Sequence, residues 1–229
     1  QAILEGSSLR INLAQPMDLA LSTIIPTGTY VTILGSNIYN SSRTLTINGV
    51  LDMTTSTINN TSGTININCT YRTAHSGGFS GGSSSIPSDK NIFINAGSTI
   101  ELYSNTDQNL NARKDFSNLT FSGSGRKLPL GPFNPAGTVT IKDDAIFDCS
   151  GRNIGDETSG TPTSTHLTMT GNSRLIVDTY GPNPKMAGTY KLTGGVIEFK
   201  NSGATPQTIR SKYYQNIEII FNYQNFNII

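Results

Sequence analysis

The sequence predicts an all-β chain wound as a right-handed parallel β-helix, a solenoid of about eight coils with an atypical N-terminal cap. Three observations point there. Five segments share one plan, an alternating strand, a small polar bend and a second alternating strand: TLTINGVLDM (44–53), NIFINAGSTIELY (91–103), TVTIKDDAIFDC (138–149), HLTMTGNSRLIVD (166–178) and TYKLTGGVIEFK (189–200). The units recur at a long step. Their first inward apolar residues, with those of the single strands between them, are Leu45, Ile65, Ile92, Leu119, Val139, Leu167, Leu192 and Ile217, at intervals of 20, 27, 27, 20, 28, 25 and 25 residues. Charged residues make up only 14% of the chain, against about 25% in an ordinary soluble domain, and Gly, Asn, Ser and Thr replace them. A hairpin meander turns every 8–12 residues or so and has no longer register. A coil of two or three short strands that then climbs one strand spacing, about 4.8 Å, accounts for both the alternation and the step.

In chain order, residues 1–43 are expected to form an N-terminal cap and a first irregular coil, because an uncovered first coil exposes core and unpaired strand edges. QPMDLALSTIIP (15–26) carries the one short helical pattern. The β-helix is expected over residues 44–229. TININC (64–69), NLTFSG (118–123) and NIEIIF (216–221) add single strands between or after the five units. Gly49, Gly97, Gly171, Gly194 and Gly195 fall at the bends, where a left-handed backbone is often needed, and Asn48, Asn95 and Asn172 accompany them. Thr44, Thr46, Thr138, Thr140, Thr168 and Thr170 suit an outward, solvated strand face. HSGGFSGGSSSIPSD (75–89) reads as a flexible loop, and KLPLGPFNPAG (127–137), with three prolines, as a stiffer one. The start at Gln1 and the stop at NFNII, within strand-like sequence, predict a segment of a longer exported protein whose β-helix continues past the chain end.

Composition narrows the function. With 16 basic and 15 acidic residues the net charge is +1, so no field attracts nucleic acid or an anionic membrane, and no membrane insertion is expected. Cys69 and Cys149 fall three coils apart in this register, too far for a disulfide, which predicts two reduced, buried apolar fillers. Asn105–Thr106–Asp107 and Lys142–Asp143–Asp144 resemble fragments of the polygalacturonase-type hydrolase motifs, whose paired carboxylates act as acid and base, but the following Gly-His-Gly and Arg-Ile-Lys motifs are missing. Asp143 and Asp144 sit where other units place Asn-Gly, so an Asx-type turn explains them. Asp143, Asp144 and Asp148 are oxygen ligands a Ca²⁺ ion could use, without an EF-hand loop to organise them. His75 and His166 have no partner at metal-ligand spacing. The Thr-x-Thr pairs are too interrupted for an ice-binding array. The aromatics of 213–215 and 222–226 fit strand packing better than sugar stacking. No catalytic, cofactor-binding or metal residue is assigned.

GTYKLTGGVIEFKNSGATPQTIRSKYYQNIEI (188–219) resembles the repeats of large secreted surface proteins of Bacteroidota, with Gly-Thr-Tyr, Gly-Gly-x-Ile-Glu-Phe, Gln-Thr-Ile and Tyr-Tyr in the same order. FSNLTFSGSGRKL (116–128) followed by 138–156 resembles another segment of that family, and the similarity spans 44–229. The resemblance implies a β-helical adhesin, gliding-motility protein or cell-surface stalk exported by the type IX secretion system, with no catalytic residues. Its partners would be surface glycans, other cell-surface proteins, or the outer-membrane secretion machinery that carries it as cargo. Contacts are expected at loops 75–89, 128–137 and 152–165. The alternative is a carbohydrate-active or glycan-binding β-helix, which predicts a lateral groove holding carboxylates about 5–10 Å apart together with aromatics.

Overall fold

The computed structural model describes residues 7–88, 90–113, 115–131, 133–149, 164–177, 181–183, 186, 188–200, 207–209 and 226–228. Every strand pair among them is parallel. The strands wind as a β-solenoid of about eight turns, divided between two compact units, residues 1–104 and 105–229.

In the first unit each turn visits three sheets. β1 (Ser8–Leu13), β2 (Met17–Asp18) and β3 (Thr23–Ile25) make the first turn. β4 (Tyr30–Gly35), β5 (Ile38–Asn40) and β6 (Thr44–Ile47) make the second, and β7 (Val50–Asp52), β8 (Ile58–Asn60) and β9 (Thr64–Ile67) the third. β10 (Thr70–Thr73) and β11 (Ile92–Ile94) belong to the fourth, and β12 (Thr99–Leu102) follows. The stacks run β1-β4-β7-β10-β12, β2-β5-β8 and β3-β6-β9-β11. Residues 15–26, whose pattern suggests a helix, contain β2 and β3, and each pairs in parallel with the next turn. A stretch with helical spacing has gone to strand because two waiting edges satisfy its backbone, which tertiary context routinely favours over propensity.

The second unit opens with β13 (Gln108–Leu110) and then adds β14 (Asn118–Phe121) with β15 (Arg126–Pro129), and β16 (Thr138–Ile141) with β17 (Ile146–Asp148). β18 (His166–Met169) and β19 (Arg174–Val177) follow, then β20 (Gly181–Asn183), β21 (Tyr190–Leu192), β22 (Val196–Phe199), β23 (Gln207–Ile209) and β24 (Phe226–Ile228). Here the stacks are β14-β16-β18-β21, β13-β15-β17-β19-β22 and β20-β23-β24.

Alternation does the folding. In β6, β9, β14 and β16 every second residue is buried and the rest are half-exposed. The inward members form columns: Leu45–Ile65–Ile92 in the first unit and Leu119–Val139–Leu167 in the second. The single spacing series of the sequence therefore joins two different faces. The first column comes from the β6-β9-β11 stack, before the Asn-rich corner, and the second from the β14-β16-β18 stack of the second unit. A three-sided coil offers more than one face with the same period, so spacing alone does not separate them. Leu192 pairs with Met169, and Tyr190 with Leu167, a shift of two residues from the expected register. An even shift keeps every side chain on its face. Tyr190–Leu192 pairs with β18 and Val196–Phe199 with β19, so the TYKLTGGVIEFK segment is a solenoid corner and not a hairpin. Ile217 lies outside the described residues.

Corner chemistry differs in detail from expectation. Gly195 is left-handed (φ 83°), but Gly49 and Gly194 are not among the residues with positive φ. Gly49 is needed for room: a Cβ there would stand 2.3 Å from the carbonyl oxygens of Pro26 and Thr29 in the turn beneath. The corner asparagines serve as a ladder. Asn68 Nδ2 donates to Asn48 Oδ1 (2.7 Å), and Asn95 Nδ2 donates to Asn68 Oδ1 (2.5 Å). A second amide pair is buried, with Asn40 Nδ2 donating to Asn60 Oδ1 at 3.0 Å.

The Gly/Ser stretch is a packed part of the fourth turn over its described residues. Phe79 and Ile86 are buried, Ser80 and Ile86 form a parallel bridge, and Tyr71 meets Phe79 edge-on with centroids 5.1 Å apart. Ile58 N donates to Ser85 O (2.7 Å), so this stretch takes the place of a strand beside β8. Two apolar residues inside a polar run were enough to anchor it. The proline-rich excursion is likewise pinned, by buried Phe133, which bridges to Arg113 and packs on Phe147 at 5.5 Å. Both cysteines are free. Cys149 is buried, but Cys69 sits half-exposed at the corner before β10 and is not the interior filler expected.

Candidate functional site

The most concentrated chemistry on the first unit is a column of ionised groups on the outward side of the β4-β7-β10-β12 stack. Asp52 on β7, Arg72 on β10 and Glu101 on β12 are consecutive rungs in register. Alternation points these residues away from the core. Even so, Asp52 and Glu101 are buried, because the neighbouring turns cover them.

Arg72 joins the rungs. Its Nε lies 2.7 Å from Glu101 Oε2, and its Nη1 lies 3.6 Å from Asp52 Oδ2 and donates to the Tyr30 hydroxyl. The Tyr30 hydroxyl donates to Asp52 Oδ2 (2.9 Å), and the Tyr103 hydroxyl to Asp52 Oδ1 (2.6 Å). Thr54 N donates to Asp52 Oδ1 as well (3.0 Å). The guanidinium carbon stands 4.6 Å from the Tyr103 ring centroid and 5.8 Å from that of Tyr30, so the cation is flanked by two aromatic faces. Burial, reinforced by the bond to Asp52, pushes both phenols above their ordinary pKa. They remain neutral donors at physiological pH. The charge of Glu101 and the other charges nearby hold Arg72 in its charged form against desolvation.

The second unit repeats the device. Arg126 pairs with buried Asp148 one turn on, and Arg174 Nε lies 3.1 Å from Oε2 of buried Glu198. Lys200 Nζ adds a contact to Glu198 Oε1 at 3.7 Å. A short pattern in the sequence marks this set, separate from the repeat spacing. The second strand of four units reads any residue, apolar, acid: Val50–Leu51–Asp52, Thr99–Ile100–Glu101, Ile146–Phe147–Asp148 and Val196–Ile197–Glu198. An acid at a fixed place in a stacked strand needs a cation on the adjacent turn.

The residues singled out from sequence are scattered. Asp143 adopts a left-handed bend (φ 60°), and Asp144 Oδ1 accepts from Asn172 Nδ2 (3.0 Å), which is turn chemistry. Asn105 and Asp107 accept backbone N–H groups of the next turn, from Ser124 (3.2 Å) and Arg126 (3.1 Å). His75 Nδ1 accepts from Gly77 N and His166 Nδ1 from Thr189 N. Burial lowers the His75 pKa, which favours the neutral ring that accepts this bond. Asp148 stands with Arg126, apart from Asp143 and Asp144 in role. Among the described residues no group of three His, Cys, Asp or Glu could hold a metal ion. Thr120, Thr140 and Thr168 do align on successive turns, with Lys191 ending the row. Most of loop 152–165, and the side chains of 213–215 and 222–226, lie outside the described residues.

The backbones of Asp52 and Glu101 are two rungs apart, roughly 9.6 Å at about 4.8 Å per rung, and one Arg72 guanidinium bridges their carboxylates, whereas an inverting glycosidase keeps the gap between its acid pair open for water. The space between them, where water and sugar would enter, holds the Arg72 side chain. Each Asp52 oxygen already accepts a tyrosine hydroxyl. As arranged, the cluster fastens four turns together and offers no open acid–base pair. No family model, curated protein or solved structure matches the chain.

Proposed function

We propose that this chain is a non-enzymatic segment of an extracellular cell-surface protein, an adhesin-like rod or structural stalk built on a β-solenoid. The observation that carries this reading is where the carboxylates go. In both units the buried outward-facing acids are committed to cations on adjacent turns, which is how a stacked scaffold resists shear, and the other outward positions are largely Thr, Asn and Ser. Surface glycans or other surface proteins would be the partners, held by repeated weak contacts. Export by the type IX system rests on the resemblance of 188–219 and 116–156 to secreted Bacteroidota repeats alone.

Two measurements test the proposal. Protease shaving and antibody labelling of intact cells should find the protein outside; exclusive recovery from the cytoplasm would overturn it. The purified chain, incubated with acidic and neutral polysaccharides, should release no new reducing ends or unsaturated sugars.

A second reading, a carbohydrate-active or glycan-binding β-helix, is favoured by Asp52, Glu101, Tyr30 and Tyr103 sharing one face. It predicts turnover or glycan retention that Asp52→Asn or Glu101→Gln abolishes. The structural reading predicts that these variants change stability alone.

A further inference from the structure

Asn48 and Gly49 are the only Asn-Gly pair in the chain, and the fold uses both halves of it. Position 49 has no room for a side chain above the Pro26 and Thr29 carbonyls. Asn48 is the first amide of the corner ladder, and Asn68 and Asn95 hold the same place one and two turns on. Those two are followed by Cys69 and Ala96. The difference is chemical. Asparagine is a thermolabile residue, and its loss begins when the backbone nitrogen of the next residue reaches the side-chain carbonyl. A side chain on that next residue hinders the approach, and glycine has none. Packing has thus placed the most reactive pair of its kind at a half-exposed corner that water reaches.

Two neighbouring turns hold the reacting atoms. Gly49 N, the nucleophile, donates to Ile25 O of the first turn (3.1 Å), and Asn48 N donates to the same carbonyl (2.9 Å). Asn48 Oδ1 accepts from Asn68 Nδ2 of the third turn (2.7 Å). While these bonds stand, the Gly49 proton is engaged, and the Asn48 amide is tied along the ladder instead of folding back onto the nitrogen. We propose that Asn48 is a site of spontaneous deamidation, kept shut by the stacked turns and opened when a neighbouring turn lifts away. In the open state Gly49 N gives its proton to hydroxide and bonds to Asn48 Cγ. The Cγ–Nδ2 bond breaks and Nδ2 leaves as ammonia. Water then opens the cyclic imide at either carbonyl, giving aspartate or isoaspartate. One water is consumed and one ammonia released, with nothing oxidised or reduced. Aspartate at 48 keeps the oxygen that accepts from Asn68, so the ladder survives. Isoaspartate lengthens the backbone at a corner with no spare room, so the first turn no longer seats. The site therefore turns a transient opening into a permanent mark. The proposal is independent of the surface-rod reading above.

Peptide mapping of the full chain in mildly alkaline buffer tests it. Trypsin isolates the segment between Arg43 and Arg72, and fragmentation locates the mass gain that deamidation leaves. In urea Asn48 should convert before every other asparagine of this segment, and Gly49→Ala should slow it at least ten-fold. In native buffer wild type should convert at least ten-fold more slowly than in urea. Asn68→Ala, shown to be folded by circular dichroism, should convert at least three-fold faster than wild type in native buffer and no faster in urea. If that variant does not fold, wild type in sub-denaturing urea replaces it, and conversion should rise before the circular dichroism changes. Equal rates in native buffer and urea would overturn the proposal, since the turns would then protect nothing. So would another asparagine of the segment converting first in urea, a folded Asn68→Ala that ages like wild type, or conversion that tracks global unfolding alone.

Discussion

Arg72 shows how much one side chain can be asked to do. It neutralises two buried acids, donates to a phenol and lies between two rings. Removing one partner of a buried ion pair leaves an uncompensated charge, a loss typically of about 3–5 kcal/mol, while Asp52 here keeps two tyrosine donors that soften the effect. Arg72→Met should cost about 2–4 kcal/mol in urea unfolding, and Arg72→Lys less. In the Arg72→Met, Glu101→Gln double variant part of the loss should return, since the orphaned charge is gone; strict additivity would show that the two do not interact. Lys127 poses the opposite case. Its side chain is buried, its Nζ donates to Gly125 O (2.9 Å), and burial lowers its pKa from 10.5 to about 8, with Asp107 opposing. The unfolded chain thus holds this proton more tightly than the folded one. The penalty for charging Lys127 is complete below pH 8 and fades as pH rises from about 8 to 10.5. Lys127→Met should therefore be more stable than wild type at pH 7, on the order of 1–3 kcal/mol, with the gap shrinking by pH 10. A gap that does not depend on pH would place the effect in packing. The thiols differ too. Burial and the charge of Asp148 raise the pKa of Cys149, while Cys69 is half-exposed, so alkylation of the folded chain should label Cys69 first.

At the scale of elements, the strands were legible because alternation and burial are the same fact seen twice. TLTI, TINI, NLTF and TVTI became strands whose Leu, Ile, Phe and Val point inward. The parallel stacking followed from the long step. What sequence did not separate is which face of the coil each strand lies on, since all faces share one period, nor the charge ladder, whose members sit 20 and 29 residues apart. The Gly/Ser stretch departs from its expected flexible loop for a related reason. Composition speaks for the many residues, whereas Phe79 and Ile86 decide the packing. Its order has a measurable consequence. Limited proteolysis of the native protein should leave 76–86 intact. Phe79→Ala, which removes the ring that meets Tyr71, should open this stretch to cleavage and cost about 3–5 kcal/mol. Rapid cutting of the wild type between Gly77 and Gly82 would show that the stretch does not hold its place against β8.

At the scale of the molecule, a solenoid is a one-dimensional stack, and its stability is close to a sum of turns and the interfaces between them. Within the first unit the hydrogen bonds obey this: Val50 N reaches Thr29 O, Thr70 N reaches Gly49 O and Thr99 N reaches Cys69 O, each one turn away. An inner turn is held from two sides. Among the described residues β1 pairs with β4 alone, and its burial alternates between exposed and half-buried, whereas Val31 and Ile33 of β4 and Tyr71 and Thr73 of β10 are buried. Local opening should therefore begin at β1. In native-state hydrogen exchange the amides of Leu9, Ile11 and Leu13 should exchange at least about 100-fold faster than those of Leu51 and Tyr71, a gap of roughly 3 kcal/mol at 1.4 kcal/mol per decade. Phe79→Ala should accelerate the amides of β8 and β10 more than those of β4, because its loss is felt by the turns that touch it. Uniform protection from β1 to β12, with all amides shifting together in the variant, would mean that the unit opens as a single block and that its turns are not the units of its stability.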